Sequence, residues 1–220
     1  MKIQIITSEY FGSHSYILIE QGHVIVIDVG DADKVIHEIL REHHEVDYCV
    51  LTHEHCDHIL GCSRFREQFN CKVYASSKCD NNMRNSKYNF SQYYNAFINL
   101  QTKEIIEKQK KINPFTTYAD IVFSEEKTLD WMGHKLYLRE TPGHSQGSIC
   151  ILVDNEYLFS GDTLLKDDGT GVRFVGSDKE QLLRITYPWL KSLDQRIKVY
   201  PGHGEYFILG ERLTKPIIKE

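Results

Sequence analysis

Thr52-His53-Glu54-His55-Cys56-Asp57-His58 is the stretch from which this chain is read. Four metal-competent side chains, His53, His55, Asp57 and His58, crowd into one turn. They stand directly behind the apolar run Tyr48-Cys49-Val50-Leu51. A short apolar run closed by a polar turn reads as a strand. The cluster therefore belongs to a strand-to-helix turn at a strand's carboxyl end, the edge at which open α/β sheets carry their sites. The spacing of Ile59, Leu60, Phe65 and Phe69 predicts a helix from Asp57 or His58 to about Gln68.

Upstream, residues 2–7, 14–20 and 23–28 read as strands, with Gln21-Gly22 as a hairpin turn. The third strand ends at Asp28-Val29-Gly30. An acid there fits two roles, orienting a ligand histidine or capping the next helix. That helix spans 32–43, with Val35, Ile36, Ile39 and Leu40 on one face.

Downstream, Cys71-Lys72-Val73-Tyr74-Ala75 is a short strand, and then the rhythm breaks over 76–118. Ser76 to Asn95 is polar with scattered aromatics, and a helix is expected from about Ser91 to Lys111. Strands resume at 120–123, 127–131, 134–140, 148–153, 157–160 and 197–200, with a hairpin around Asp154-Asn155. A glycine-rich loop, 167–176, leads to a helix at about 178–192, and 206–218 holds one helical turn.

One pattern recurs: strand, glycine, ligand. It gives Gly143-His144, Gly161-Asp162 and Gly202-His203. Strands with helices interspersed in both halves imply an α/β (α+β) fold of two mixed β-sheets packed face to face with helices outside. A single domain over 1–220 is expected, with a mostly helical insertion at about 76–118.

Composition sets bounds. The chain has 220 residues, 41% of them hydrophobic, and a net charge of −5, which gives no general attraction to nucleic acid or to an anionic membrane. No apolar run approaches the ~20 residues of a membrane span. The first residues alternate as a strand does and do not resemble a signal peptide, so a cytoplasmic protein with a small-molecule substrate is expected. Six cysteines without small-scaffold spacing read as free thiols.

Histidine and carboxylate donors without cysteine favour zinc, with iron or manganese as alternatives, in a catalytic role. His53 and His55 can point to one ion, Asp57 and His58 can serve a second, and Asp162 is placed to bridge. Two such ions can activate a hydroxide between them and polarise a carbonyl or phosphoryl oxygen. His14, His23, His37, His43, His44 and His134 read as structural or surface histidines, and Cys56 as packing.

These residues resemble the metallo-β-lactamase superfamily of hydrolases. The resemblance is carried by Thr52-His53-x-His55-x-Asp57-His58, Thr141-Pro142-Gly143-His144-Ser145-x-Gly147-Ser148, Phe159-Ser160-Gly161-Asp162-Thr163-Leu164 and Tyr200-Pro201-Gly202-His203-Gly204. It implies a four-layer αββα sandwich. It also implies a first metal on His53, His55 and His144, a second on Asp57, His58 and His203, and Asp162 between them. Asp57, His58 and Asp162 are thereby assigned to catalysis as well as to the two divalent ions.

The wording is most similar to the glyoxalase II-like branch, which hydrolyses thioesters. That branch has a helical domain after the last ligand, whereas 17 residues follow His203 here. It usually carries Gly-Arg-x-Asp after the bridging aspartate, where this chain has Gly171-Val172-Arg173-Phe174. Arg173 is kept as a candidate substrate contact. The expected activity is attack of a metal-bridging hydroxide on a thioester, ester or lactone carbonyl. The alternatives are a persulfide dioxygenase with one iron on His53, His144 and Asp162, and a non-catalytic metal-binding module.

Overall fold

The alternating and apolar runs fold as strands. The computed structural model describes residues 1–100 and 110–218. These form two units, Met1–Ala75 with Asp80–Val122, and Ser76–Cys79 with Phe123–Glu220.

The first unit is built on a sheet of order β1-β2-β3-β4-β5-β6. The strands are β1 Lys2–Thr7, β2 His14–Glu20, β3 His23–Ile27, β4 Glu45–Val50, β5 Lys72–Ser76 and β6 Ile121–Phe123. β1, β2 and β3 pair antiparallel; β3, β4 and β5 pair parallel, which makes the sheet mixed. Gln21 and Gly22 both have positive φ, the conformation of a tight hairpin between right-twisted strands. Helix α1, Ala32–Arg41, makes the crossover from β3 to β4. It is capped by Asp31, which accepts from the Lys34 amide, and it buries Val35, Ile36 and Ile39.

The helix expected from Asp57 to Gln68 comes in two pieces, α2 Cys56–Ile59 and α3 Cys62–Phe69. The break has a local cause. Gly61 N–H donates to Val29 O at 2.8 Å. A Cβ on Gly61 would come within 2.7 Å of Ala32 N and Val29 Cγ1. Only a glycine lets the chain pass so close.

In segment 76–118 the structure shows α4 Ser77–Met83 and α5 Tyr94–Asn99. The α4 helix was not anticipated, because its apolar signal is only Cys79 and Met83, four apart and both fully buried. The remainder of the helix expected over 91–111, including Lys103, Ile105, Ile106 and Lys108, lies largely outside the described residues.

The second unit carries a sheet of order β12-β11-β10-β9-β8-β7. Its strands are β7 Glu126–Trp131, β8 His134–Glu140, β9 Ile149–Val153, β10 Tyr157–Gly161, β11 Lys198–Pro201 and β12 Phe207–Ile208. Within this sheet, the described pairs are antiparallel except β10 with β11, which run parallel. Asp154 and Asn155 both have positive φ and form a tight turn closed by Glu156 N–H to Val153 O at 2.9 Å, within the three-residue connection between the paired Val153 and Tyr157.

The helix expected over 178–192 is present but changes pitch. It begins as α6 Lys179–Gln181, passes through a π-helical turn at Leu182–Thr186 and ends as α7 Tyr187–Ser192. Pro188, at the start of α7, has no N–H for the Arg184 carbonyl, and the Tyr187 amide reaches back to Leu182 O. Leu182 and Leu190 join Cys150, Leu158, Val199 and Phe207 in one core cluster. Burying such an aliphatic side chain contributes roughly 1.5–3 kcal/mol. Helix α8, Leu209–Leu213, supplies the helical turn expected after residue 206. Among the described residues no helix is long and apolar enough to cross a membrane. No disulfide joins the six cysteines, all of which are buried.

Candidate metal centre

In the first unit, parallel pairing of β3 and β4 brings two strand ends side by side. Ile27 stands opposite Val50, and Asp28 N–H donates to Val50 O at 3.0 Å. Asp28 and Thr52 therefore leave the sheet at the same edge. Asp28 is 2% exposed and has a left-handed backbone, φ 58°. Its Oδ1 accepts the Thr52 amide at 2.7 Å, and its Oδ2 accepts the Thr52 hydroxyl at 2.6 Å. The same Oδ2 lies 2.9 Å from Nδ1 of His58. Of the two roles open to Asp28, the structure shows the first: it orients a histidine, while Asp31 caps the helix.

These bonds assign protons. The Thr52 hydroxyl gives its hydrogen to Asp28, so its oxygen can accept Nδ1–H of His53, 3.0 Å away. Asp28 takes Nδ1–H of His58. In both neutral imidazoles Nε2 is left as the lone-pair atom. Donor atoms of His53, His58 and Asp28 lie within 4.8 Å of one another. The Asp28 oxygens are already engaged by Thr52 and His58, so this acid supports the cluster from behind. His55 precedes α2 in extended conformation, and Asp57 and His58 lie in its first turn. Asp57 Oδ2 is 3.6 Å from His58 Nε2.

The turn is held by a contact that only glycine permits. A Cβ on Gly30 would lie 2.1 Å from the Asp57 carbonyl oxygen. Ser13 Oγ donates to that oxygen at 2.7 Å. Segment 76–118 also reaches the motif: Asn82 Nδ2 donates to buried Glu54 at 2.7 Å, and the Phe90 ring lies 6.0 Å from that of His55. Cys56 packs with Tyr94, Ile98 and Ile112, and burial pushes its thiol pKa well up. It behaves as packing, as its position implied.

In the second unit, parallel pairing of β10 and β11 does the same work. Gly161 stands opposite Pro201, and Gly202 N–H donates to Gly161 O at 2.8 Å. The residues that follow, Asp162 and His203, meet with Asp162 Oδ2 3.5 Å from His203 Nε2. His144 arrives from the loop after β8, its Nε2 3.6 Å from the same Asp162 oxygen. That loop is closed by Thr141 N–H to Ser148 O and seated on the π-helical turn, where Thr186 Oγ1 donates to Pro142 O at 2.7 Å. His144 Nδ1 lies 3.0 Å from Gly171 O. A carbonyl only accepts, so Nδ1 carries the hydrogen and Nε2 is again the lone-pair atom.

The seven expected ligands thus fall into two clusters, His53, His55, Asp57 and His58 in the first unit and His144, Asp162 and His203 in the second. Arg173 is exposed, and it is its neighbour Phe174 whose ring lies 5.7 Å from that of His144. Thr52 stood in the motif without an assigned role. Asn82 and the Gly171 carbonyl had no sequence signal.

The sequence profile of the metallo-β-lactamase superfamily matches residues 10–203. The chain belongs to the metallo-β-lactamase superfamily. It is 26% identical to the probable metallo-hydrolase YqgX of Bacillus subtilis (strain 168) over 212 residues, covering 94% of this chain and 92% of that one. It is 28% identical to the hydroxyacylglutathione hydrolase of Francisella tularensis subsp. novicida over 193 residues, 87% of this chain and 62% of that enzyme. The chain thus spans less than two thirds of that enzyme's length. Among solved structures, the BLEG-1 B3 metallo-β-lactamase superposes with a TM-score of 0.80 at 25% identity, covering 97% of each chain. The fold is the metallo-β-lactamase fold, and its histidine and aspartate clusters are of the metal-binding kind.

Proposed function

We propose that this member of the superfamily is a hydrolase using two divalent ions, zinc foremost, on a thioester, ester or lactone carbonyl, in the manner of glyoxalase II. One observation carries the reading: His53, His58 and His144 each commit Nδ1 to an oxygen, leaving Nε2 as the donor a metal would take. Imidazoles set in this tautomer suit divalent ions, and a carboxylate stands beside one of them in each unit, Asp57 by His58 and Asp162 by His144, adding oxygen to the nitrogen donors. The ligands would be His53, His55, Asp57, His58, His144, Asp162 and His203. When bound, the ions supply Lewis acidity and a water of lowered pKa.

The chain's own groups do the rest. Asp28 and Thr52 hold His58 and His53 in the donor tautomer, and Gly171 holds His144. Asp57, whose Oδ2 lies 3.6 Å from His58 Nε2, is assigned with His58 and Asp162 to the groups that act on the attacking water. The hydroxyacylglutathione hydrolase relatives support thioester chemistry, and the substrate is stated as an acyl class because the chain matches only 62% of the Francisella enzyme.

The test is elemental analysis of protein purified without added metal, followed by a thioester and lactone panel. Close to two zinc per chain with acyl hydrolysis is the expected result. One iron per chain with oxygen uptake on a persulfide would replace the hydrolase by a dioxygenase. No metal retained or rebound would remove the ligand assignment.

A further inference from the structure

Arg212 is a guanidinium only 2% exposed, and the described bonds it makes all go to backbone carbonyls. Nε donates to Leu165 O, and Nη2 donates to Asp168 O at 2.9 Å and to Pro216 O at 3.1 Å. Nη1 reaches Lys215 O at 3.4 Å. The planar fork therefore ties two stretches together, 165–168 and 215–216. Burial lowers its pKa, and Tyr187, Asp167 and Asp168 oppose that fall.

The first stretch lies in the loop that begins after Asp162 and ends at Gly171. That loop is fastened at further points. Ser160 Oγ donates to Leu164 O at 2.9 Å, and Thr170 Oγ1 donates to Thr163 O at 2.6 Å. Thr170 N–H donates to Ile217 O at 2.6 Å, and Thr170 forms an isolated parallel bridge with Ile218. The next carbonyl, Gly171 O, is the acceptor for His144 Nδ1. One loop thus joins the carboxylate of the cluster to the oxygen that sets the histidine, and segment 209–218 grips it from behind.

We propose that Arg212 is a positioning residue for the His144–Asp162–His203 cluster. By clamping loop 163–171 it presents the Gly171 carbonyl to His144 and holds the tautomer that carries the lone pair on Nε2. The ion that benefits is the one assigned above, and the inference rests on that reading. The competing role is plain anchorage of segment 209–218. Against it stands the division of the fork: two of its bonds leave that segment for Leu165 and Asp168 in the loop.

The test uses the full chain with Arg212→Met, Arg212→Lys and Thr170→Val. Thr170→Val removes the bond to Thr163 without touching Arg212. Three quantities are read: zinc affinity against a chromophoric chelator, the cobalt(II) absorption spectrum, and the His144 Nδ1–H signal in nitrogen-15 histidine-labelled protein. Zinc affinity weakened about tenfold, the size typical of losing support behind a ligand, is expected for Arg212→Met. The expected cobalt spectrum is altered, the His144 signal exchanges faster, and Arg212→Lys is intermediate.

A variant that melts earlier yet keeps wild-type zinc affinity, cobalt spectrum and His144 signal overturns the proposal. If Arg212→Met does not fold, Thr170→Val decides, and unchanged affinity and signal in it overturn the proposal. Failure of the wild-type chain to take up zinc removes the metallohydrolase reading instead. The clamp is then judged on the His144 signal alone, whose persistence in Arg212→Met overturns it.

Discussion

Asp28 Oδ2 lies 2.9 Å from Nδ1 of His58, with both side chains at most 2% exposed. The same oxygen takes the Thr52 hydroxyl, so one carboxylate sets two imidazoles, His58 directly and His53 through Thr52. Asp28→Asn removes the charge and keeps a side chain that tolerates the left-handed backbone at this position. We expect zinc affinity to fall by roughly 10–100-fold while the fold is kept, read by competition with a chelator. Thr52→Val should have a smaller effect because His58 keeps its acceptor. Equal affinity in Asp28→Asn and wild type would refute the orienting role.

Gly30→Ala should be among the most damaging small changes in the chain, since its Cβ would lie 2.1 Å from the Asp57 carbonyl oxygen. Backbone must move to admit it, at a cost of about 1–3 kcal/mol or more. The comparison is Gly133→Ala, where φ is +85° but nothing lies within 4 Å of the added methyl. There only the left-handed backbone is penalised, by roughly 1–2 kcal/mol. Urea midpoints of the two variants measure the difference, and a Gly30→Ala midpoint at or above that of Gly133→Ala would contradict the packing account.

Stability should fall as pH rises above 9. Burial is the largest cause raising the thiol pKa values of Cys62 and Cys71 to about 11 and of Cys150 to about 12, from an ordinary 9.0. Well below pH 9 these thiols are neutral in both states and contribute no slope. Above it the unfolded chain loses protons that the folded chain retains, so unfolding is favoured with rising pH until about 11–12. Each such thiol contributes up to about 1.4 kcal/mol per pH unit over that window. Urea unfolding in reductant at pH 8 and pH 10 checks this, and Cys150→Ala should lessen the loss.

The turn at Asp154-Asn155 gives a fourth test. Both residues have positive φ, and Asp154 also accepts from the Lys135 amide at 2.8 Å. Asn155→Gly should be neutral or mildly stabilising, whereas Asn155→Val should destabilise by about 1–2 kcal/mol. A thermal melt in which Val is no worse than Gly would show that the hairpin does not rely on this geometry.

The candidate ligands stood out in the sequence because His53, His144, Asp162 and His203 follow the same local grammar. An apolar strand ends, a glycine or threonine turns the chain, and a histidine or aspartate comes next, as at Thr52-His53, Gly161-Asp162 and Gly202-His203. Strand order and pairing are longer-range, yet the hairpins at Gln21-Gly22 and Asp154-Asn155 were marked by residues that accept positive φ. What stayed hidden has no side-chain signature. The Gly171 carbonyl that sets His144 is a group every residue owns, and only the folded loop selects it. Asp28 was ambiguous because capping and histidine support use the same carboxylate, and the neighbouring Asp31 took the capping role. The π-helical turn at Leu182–Thr186 follows from Pro188 in combination with its packing, which helical periodicity does not distinguish from a straight helix.

The parallel pairing of β10 with β11 has a kinetic consequence. Asp162 leaves the ribosome dozens of residues before His203, and the two meet only when β11 has docked alongside β10. Such non-local pairing is slow compared with hairpin closure. The second cluster is therefore finished late in chain maturation, and cation capture there should trail the appearance of most helical and hairpin structure during refolding.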